Sequence, residues 1–170
     1  MKVLVVVDMQ NDFIDGSLGT NEAAKVVPKV AAKIEEARTA GDAVIFTRDT
    51  HSANYLNTQE GRNLPVVHCV CDSTGWQISP ALKTDGSKVI DKPSFGSLEL
   101  ADYIATLGSV DEVELVGLCT DICVISNAII LKARLPETRI CVDSSCCAGV
   151  TVESHNNALS AMKMCQIEVN

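Results

Sequence analysis

Residues 112–133 read EVELVGLCTDICVISNAIILKA. Glu112 to Gly117 is a strand, and Asp121 to Ala133 is a helix rich in apolar residues. The join between them carries Cys119 and Cys123, and the pair reads as half of a β–α–β unit. The same alternation continues in both directions. Upstream, Val3 to Val7 is a β-branched run ending in Asp8. Asn21 to Thr39 repeats Ala23, Val26, Val27, Val30, Ala31 and Ile34 at helical spacing, with Gly41 as a stop. Asp42 to Thr47 reads as a buried strand, Lys88 to Asp91 as a short one and Leu98 to Leu107 as a helix. Downstream come a strand over Arg139 to Val142, a helix over Val152 to Met164 and a last strand over Gln166 to Val169. Strands that are apolar at nearly every position imply a parallel sheet covered on both faces. Alternation with helices implies right-handed crossovers. The expected fold is α/β: a three-layer αβα sandwich with a mostly parallel, doubly wound sheet of about six strands. No linker, repeat or low-complexity tract interrupts it, so residues 1–170 read as a single domain.

Apolar residues make up 46% of the chain and charged residues 21%, a globular balance, while aromatics at 4% leave the core to Val, Ile, Leu and Ala. The net charge of −8, without a block of Lys or Arg, argues against nucleic acid and against an anionic membrane surface as partners. No apolar run reaches the ~18 residues needed to cross a bilayer. The start of the chain, MKVLVVVDMQNDF, lacks the pattern of a secretory signal, so the eight cysteines are expected to be reduced, in a cytoplasmic protein. Most then serve as small buried hydrophobes, and the vicinal Cys146 and Cys147 need not be a redox pair.

In a doubly wound sheet, polar residues just past the strand C-termini form the site. That rule selects Asp8, Asp49, Lys92 and the segment Leu118 to Cys123. Singly, each has a plainer reading: Asp8 as a turn cap, Lys92 as a solvated charge, Cys123 as a core residue. Together they supply an acid/base carboxylate, a cation and a thiol at a helix start, where partial positive charge is expected to lower its pKa. Those are the parts that nucleophilic amide hydrolysis needs. A second group lies in the long, aperiodic excursion Arg48 to Ser87: Asp49 and His51 as D-x-H, then Glu60, then His68. Carboxylate and imidazole donors suit one divalent transition metal, Zn, Fe or Mn. Spacing alone leaves open a polar surface loop with unrelated histidines, and Asn57 or Tyr55 in place of Glu60. Thr120 and Asp121 read as caps of the helix carrying Cys123, His155 as structural or exposed, and Asp12 as shaping the first loop.

Three segments, VVDMQNDF (6–13), DKPSFGS (91–97) and GLCTDICV (117–124), in this order, resemble the signature segments of the isochorismatase-like cysteine hydrolases. The resemblance covers nearly the whole chain. The Asp-His-Glu-His pattern is similar to that of some bacterial nicotinamidases. The resemblance implies Cys123 as nucleophile, Asp8 as the group that moves its proton to the leaving amine, and Lys92 as their counter-charge. It implies a non-proline cis peptide at Leu118–Cys119, with the backbone N–H groups of Cys119 and Cys123 as an oxyanion hole. It also implies a metal on Asp49, His51, Glu60 and His68 that orients a pyridine ring, with Phe13 lining the ring pocket. Pro65 and Glu99 stand where nicotinamidases often carry aromatics, and Trp76 or Phe95 is expected to fill that gap. The activity implied is a metal-dependent amidohydrolase of a small-molecule amide, foremost nicotinamide, from a homo-oligomeric protein. The alternatives are hydrolysis of another small amide, a ureido or carbamoyl compound or a vinyl ether, and a non-catalytic metal- or thiol-sensing protein on the same fold.

Overall fold

Successive side chains of a strand point to opposite faces, and the first strand shows what each face meets. In the computed structural model, which describes residues 1–170, strand β1 spans Lys2–Val7. Val3, Val5 and Val7 join one buried cluster with Leu100, Ile104, Ala128, Leu131 and Met162, whereas Leu4 and Val6 join another with Ala23, Val26, Val30 and Ile34. These partners lie on helices that cover the two faces. After β1 the chain forms α1 (Asn11–Ile14), α2 (Asn21–Ala40), β2 (Ala43–Asp49), α3 (Gln59–Asn63), β3 (Lys88–Lys92), α4 (Leu98–Thr106), β4 (Glu112–Leu118), α5 (Ile125–Arg134), β5 (Arg139–Ala148), α6 (Val152–Met164) and β6 (Glu168–Val169). Helix α2 packs on one face, and α4, α5 and α6 on the other. The expected three-layer sandwich is present.

The six strands pair in the order β3-β2-β1-β4-β5-β6, every pair parallel. Strand order runs outward one way from β1 and the other way from β4. The crevice beyond the C-terminal ends of β1 and β4 is therefore the topological switch point, where such sheets bind ligands. Gly117 makes the close approach there possible. Its φ is +115°, and a Cβ would lie 2.2 Å from the Val7 carbonyl oxygen.

Several boundaries differ from the sequence reading. β5 continues past Val142 to Ala148 through a bulge, because Leu115 pairs with Val142 but Gly117 with Cys147. The helix expected from Asp121 begins instead as a π-helical turn, Thr120–Val124, that leads into α5. The excursion holds a 3-10 turn, Tyr55–Asn57, as well as α3. All eight cysteines are free, and only Cys71 and Cys165 are exposed. Cys146 and Cys147 belong to the clusters on opposite faces of the sheet. No helix is long and apolar enough to cross a membrane.

Candidate active site

Four strand ends converge at the switch point. Asp8, directly after β1, is fully buried with φ +48°. Thr47 on the neighbouring β2 donates its hydroxyl to Asp8 Oδ1 at 2.6 Å. Lys92 closes β3 and is also fully buried. Its Nζ lies 2.6 Å from Asp8 Oδ2 and donates to the Ser94 carbonyl at 2.9 Å and to Cys123 Sγ at 3.4 Å. Cys123 sits in the π-helical turn after β4 and is 5% exposed. The structure thus brings the predicted carboxylate, cation and thiol into one buried group.

Their protonation follows from burial. Desolvation raises Asp8, and the Lys92 charge opposes it without cancelling it. Burial would lower Lys92, but Asp8, then Cys123 and Asp49, outweigh that and keep it charged. Cys123 is pushed well above the ordinary thiol range, first by burial and then by Asp8. The expectation of a thiol lowered by a helix end is not met. A low-dielectric pocket holding a carboxylate outweighs the partial charge of one turn.

The Leu118–Cys119 peptide is cis, as the resemblance implied. The Cys119 N–H donates to no acceptor within the protein. Behind the turn, buried Asn127 donates to the Cys123 carbonyl at 2.8 Å and accepts from the Ser97 N–H at 3.0 Å, tying the thiol's turn to the start of α4. Thr120 and Asp121 do not cap α5. Thr120 Oγ1 pairs with His155 Nδ1 at 2.8 Å, and Asp121 accepts from the Val150 N–H at 3.1 Å.

On the facing wall, the ligand atoms of Asp49, His51, Glu60 and His68 lie within 4.8 Å of one another. Asp49 ends β2 beside Lys92 in register, and His51 follows on the same side. Thr58 caps α3 and so presents Glu60. Neither Asn57 nor Tyr55 takes its place. The Asn57 side chain pairs with Asn54, and the Tyr55 hydroxyl donates to the Leu64 carbonyl at 2.9 Å.

The donor chemistry of this group fits a divalent transition ion. His68 Nδ1 lies 2.8 Å from the Val66 carbonyl, which can only accept, so the proton sits on Nδ1 and the Nε2 lone pair faces the cluster. His51 Nε2 is buried 2.9 Å from Asp49 Oδ2 and has no hydrogen-bond partner of good geometry. Asp49 stays well below the usual carboxylate range, because contacts with His51 and His68 and the Lys92 charge overcome its burial. Glu60 is raised by burial and by the Asp49 charge.

Between the two groups lies a cavity of about 220 Å³. Phe13, Leu18, Leu64, Phe95 and Ile122 give it an apolar wall. Phe13 lies against His68, with ring centres 5.6 Å apart. Phe95 lines the cavity. Trp76 is not among its lining residues: it stacks under the Arg48 guanidinium and donates Nε1–H to Thr50. The carboxylates of Asp49 and Glu60 line the cavity beside His68, and no Lys or Arg does.

The isochorismatase domain family model matches residues 2–169. The nicotinamidase/pyrazinamidase of Mycobacterium tuberculosis is 27% identical over 186 residues, spanning 99% of this chain and 98% of that protein. Among solved structures, the pyrazinamidase of Pyrococcus horikoshii in complex with zinc superposes with a TM-score of 0.88 at 28% identity, over 99% of this chain and 98% of that one. The N-carbamoylsarcosine amidase of Thermoplasma acidophilum does so with a TM-score of 0.84 at 28% identity, over 99% and 95%.

Proposed function

The chain belongs to the isochorismatase domain family, and on that premise we propose that it is a cysteine amidohydrolase that converts nicotinamide and water to nicotinate and ammonia. One observation carries the reading. A buried carboxylate, ammonium and thiol face a transition-metal donor set across an apolar cavity of about 220 Å³. Residues 1–170 are taken as one hydrolase domain.

In this mechanism Asp8 accepts the Cys123 proton as Sγ attacks the amide carbon. The oxygen of the tetrahedral intermediate turns to the N–H groups of Cys119 and Cys123. Asp8 returns the proton to the amine, the C–N bond breaks, and ammonia leaves a thioester on Cys123. Water, deprotonated by Asp8, then attacks the same carbon and releases the acid and the thiol. Lys92 opposes the effect of burial on Asp8 and so favours its carboxylate form between these transfers. Asp49, His51, Glu60 and His68 would hold a divalent ion, which supplies a Lewis-acid site for a ring nitrogen. Phe13 and Phe95 flank the ring.

A second reading, hydrolysis of a carbamoyl compound, is favoured by the likeness to N-carbamoylsarcosine amidase. Against it stands the cavity wall, which offers a substrate carboxylate no Lys or Arg. The test is ammonia release from nicotinamide, pyrazinamide and carbamoyl amino acids by zinc-loaded protein. Turnover confined to the carbamoyl compounds would reverse the order of the two readings.

A further inference from the structure

Gln10 lies two residues past Asp8, carries no obvious chemistry and is completely buried. A buried side-chain amide must find partners for its donors and acceptor. Gln10 spends them on Asp49: its Oε1 accepts the Asp49 N–H at 2.7 Å, and its Nε2 donates to the Asp49 carbonyl at 2.8 Å. The same Nε2 donates to the Trp76 carbonyl at 2.9 Å. Both backbone groups of one candidate metal ligand are therefore held by one side chain from another strand end. The neighbouring residues extend the clamp. Asp12 Oδ2 accepts the N–H of Cys69, the residue after His68, at 2.7 Å. Asn11 Nδ2 donates to the Thr74 carbonyl at 2.8 Å. Gly75 leaves room for this, since a Cβ there would lie 2.1 Å from Asp12 Oδ2.

Resting on the reading that Asp49, His51, Glu60 and His68 hold a divalent ion, we propose that Gln10 is a positioning residue for that ion, acting through the Asp49 backbone, with Asp12 as its counterpart on the His68 side. The segment 10–12 then sets the separation between the metal group and Asp8, which leaves the same turn. Partners that orient metal ligands are worth roughly ten- to a hundredfold in metal affinity.

Gln10→Met keeps the volume of the side chain and removes all three hydrogen bonds. The Kd for Zn2+ of chelator-stripped protein is measured by competition with a chromogenic chelator, beside the rate of Cys123 alkylation and the KM and kcat for nicotinamide. The expected result is a Kd raised at least about tenfold, a raised KM, and alkylation within about threefold of wild type. Should Gln10→Met not fold, Gly75→Ala displaces Asp12 from the Cys69 N–H and reads the clamp from its His68 side, with the same expected split. Zinc affinity unchanged within twofold overturns the proposal. So does alkylation that changes in step with affinity, because Gln10 would then be acting on Asp8. Wild-type protein that binds no zinc removes both this inference and the metal reading, whereas wild-type binding matched by the variants removes this inference alone.

Discussion

At Cys123, burial and the Asp8 carboxylate both favour the protonated sulfur, and the Lys92 ammonium works the other way. The two neighbours should therefore move the thiol in opposite directions. Asp8→Asn removes a negative charge, so the thiolate should appear at lower pH. Lys92→Met removes the cation, so it should appear at higher pH. Thiolate ultraviolet absorbance followed against pH reads both shifts, and shifts of the same sign would contradict the geometry. Turnover should nevertheless collapse in both variants: Asp8→Asn leaves a thiolate with no proton carrier to expel ammonia, and Lys92→Met leaves a thiol that is harder to ionise beside a carboxyl group without its counter-charge. Cys123→Ala should lose roughly a thousandfold or more in kcat. Cys119→Ala should keep most activity. Burial, then the Asp121 charge, pushes the Cys119 thiol up to about 12, and only its backbone is assigned a part. Peptide mapping after alkylation separates the two, with Cys119 labelled first as the adverse outcome. The residues with reactive side chains were legible in the sequence because strand-end position and chemical type coincide in them. Gln10 and Asn127 were not. They act on backbone groups 39 residues away at Asp49 and 30 residues away at Ser97, and such partners leave no mark on local spacing.

Strands covered on both faces keep apolar side chains along most of their length, which is why Val3–Val7 of β1 and the Leu115–Leu118 half of β4 could be read directly. β5 was read short because its bulge places Asp143, Ser144 and Ser145 outside the layered packing, and polar residues there look like a strand end. Helices α1 and α3, of 4 and 5 residues, are too brief to show a period. The π-helical turn was hidden for a different reason: Thr120 and Asp121 resemble caps, yet their side chains reach His155 and Val150. The contact between β1 and β4 permits a sharp test. Alanine at Gly117 would place its Cβ 2.2 Å from the Val7 carbonyl and require a φ of +115°. Strain and overpacking together should cost about 2–4 kcal/mol. Chemical denaturation measures that loss. Wild-type stability in Gly117→Ala would mean that the two strands are not held this closely where Asp8 and Cys119 leave them.

On the scale of the whole molecule, the excursion after β2 is joined to the domain at many points. Asn11 donates its N–H to the Gln77 carbonyl, Ser79 donates to the Met9 carbonyl, and Gln10 and Asp12 hold Asp49 and Cys69. Metal binding to that excursion should therefore stabilise the complete fold. A ligand that binds only the folded chain adds about 2.7 kcal/mol at a hundredfold excess over Kd. The effect should depend on pH with a definite sign. Burial would lower His68, but Asp49 and the Val66 carbonyl raise it. Without metal, the contribution of charged His68 is fully present below its unfolded pKa and is lost as pH rises through the raised folded value. Metal needs the neutral imidazole, so protons compete with it over that same interval. The zinc-dependent gain in Tm should accordingly be small in mild acid and grow towards neutral pH. Asp49, held low, stays ionised throughout this range and should not reverse the trend. Glu60→Ala should shrink the gain at every pH, since it removes one of the four donors. Thermal melts of chelator-stripped protein, with and without zinc, at several pH values provide the measurement. A zinc-dependent gain that is equal at all pH values would show that His68 is not a ligand. A gain that survives intact in Glu60→Ala would remove Glu60 from the set.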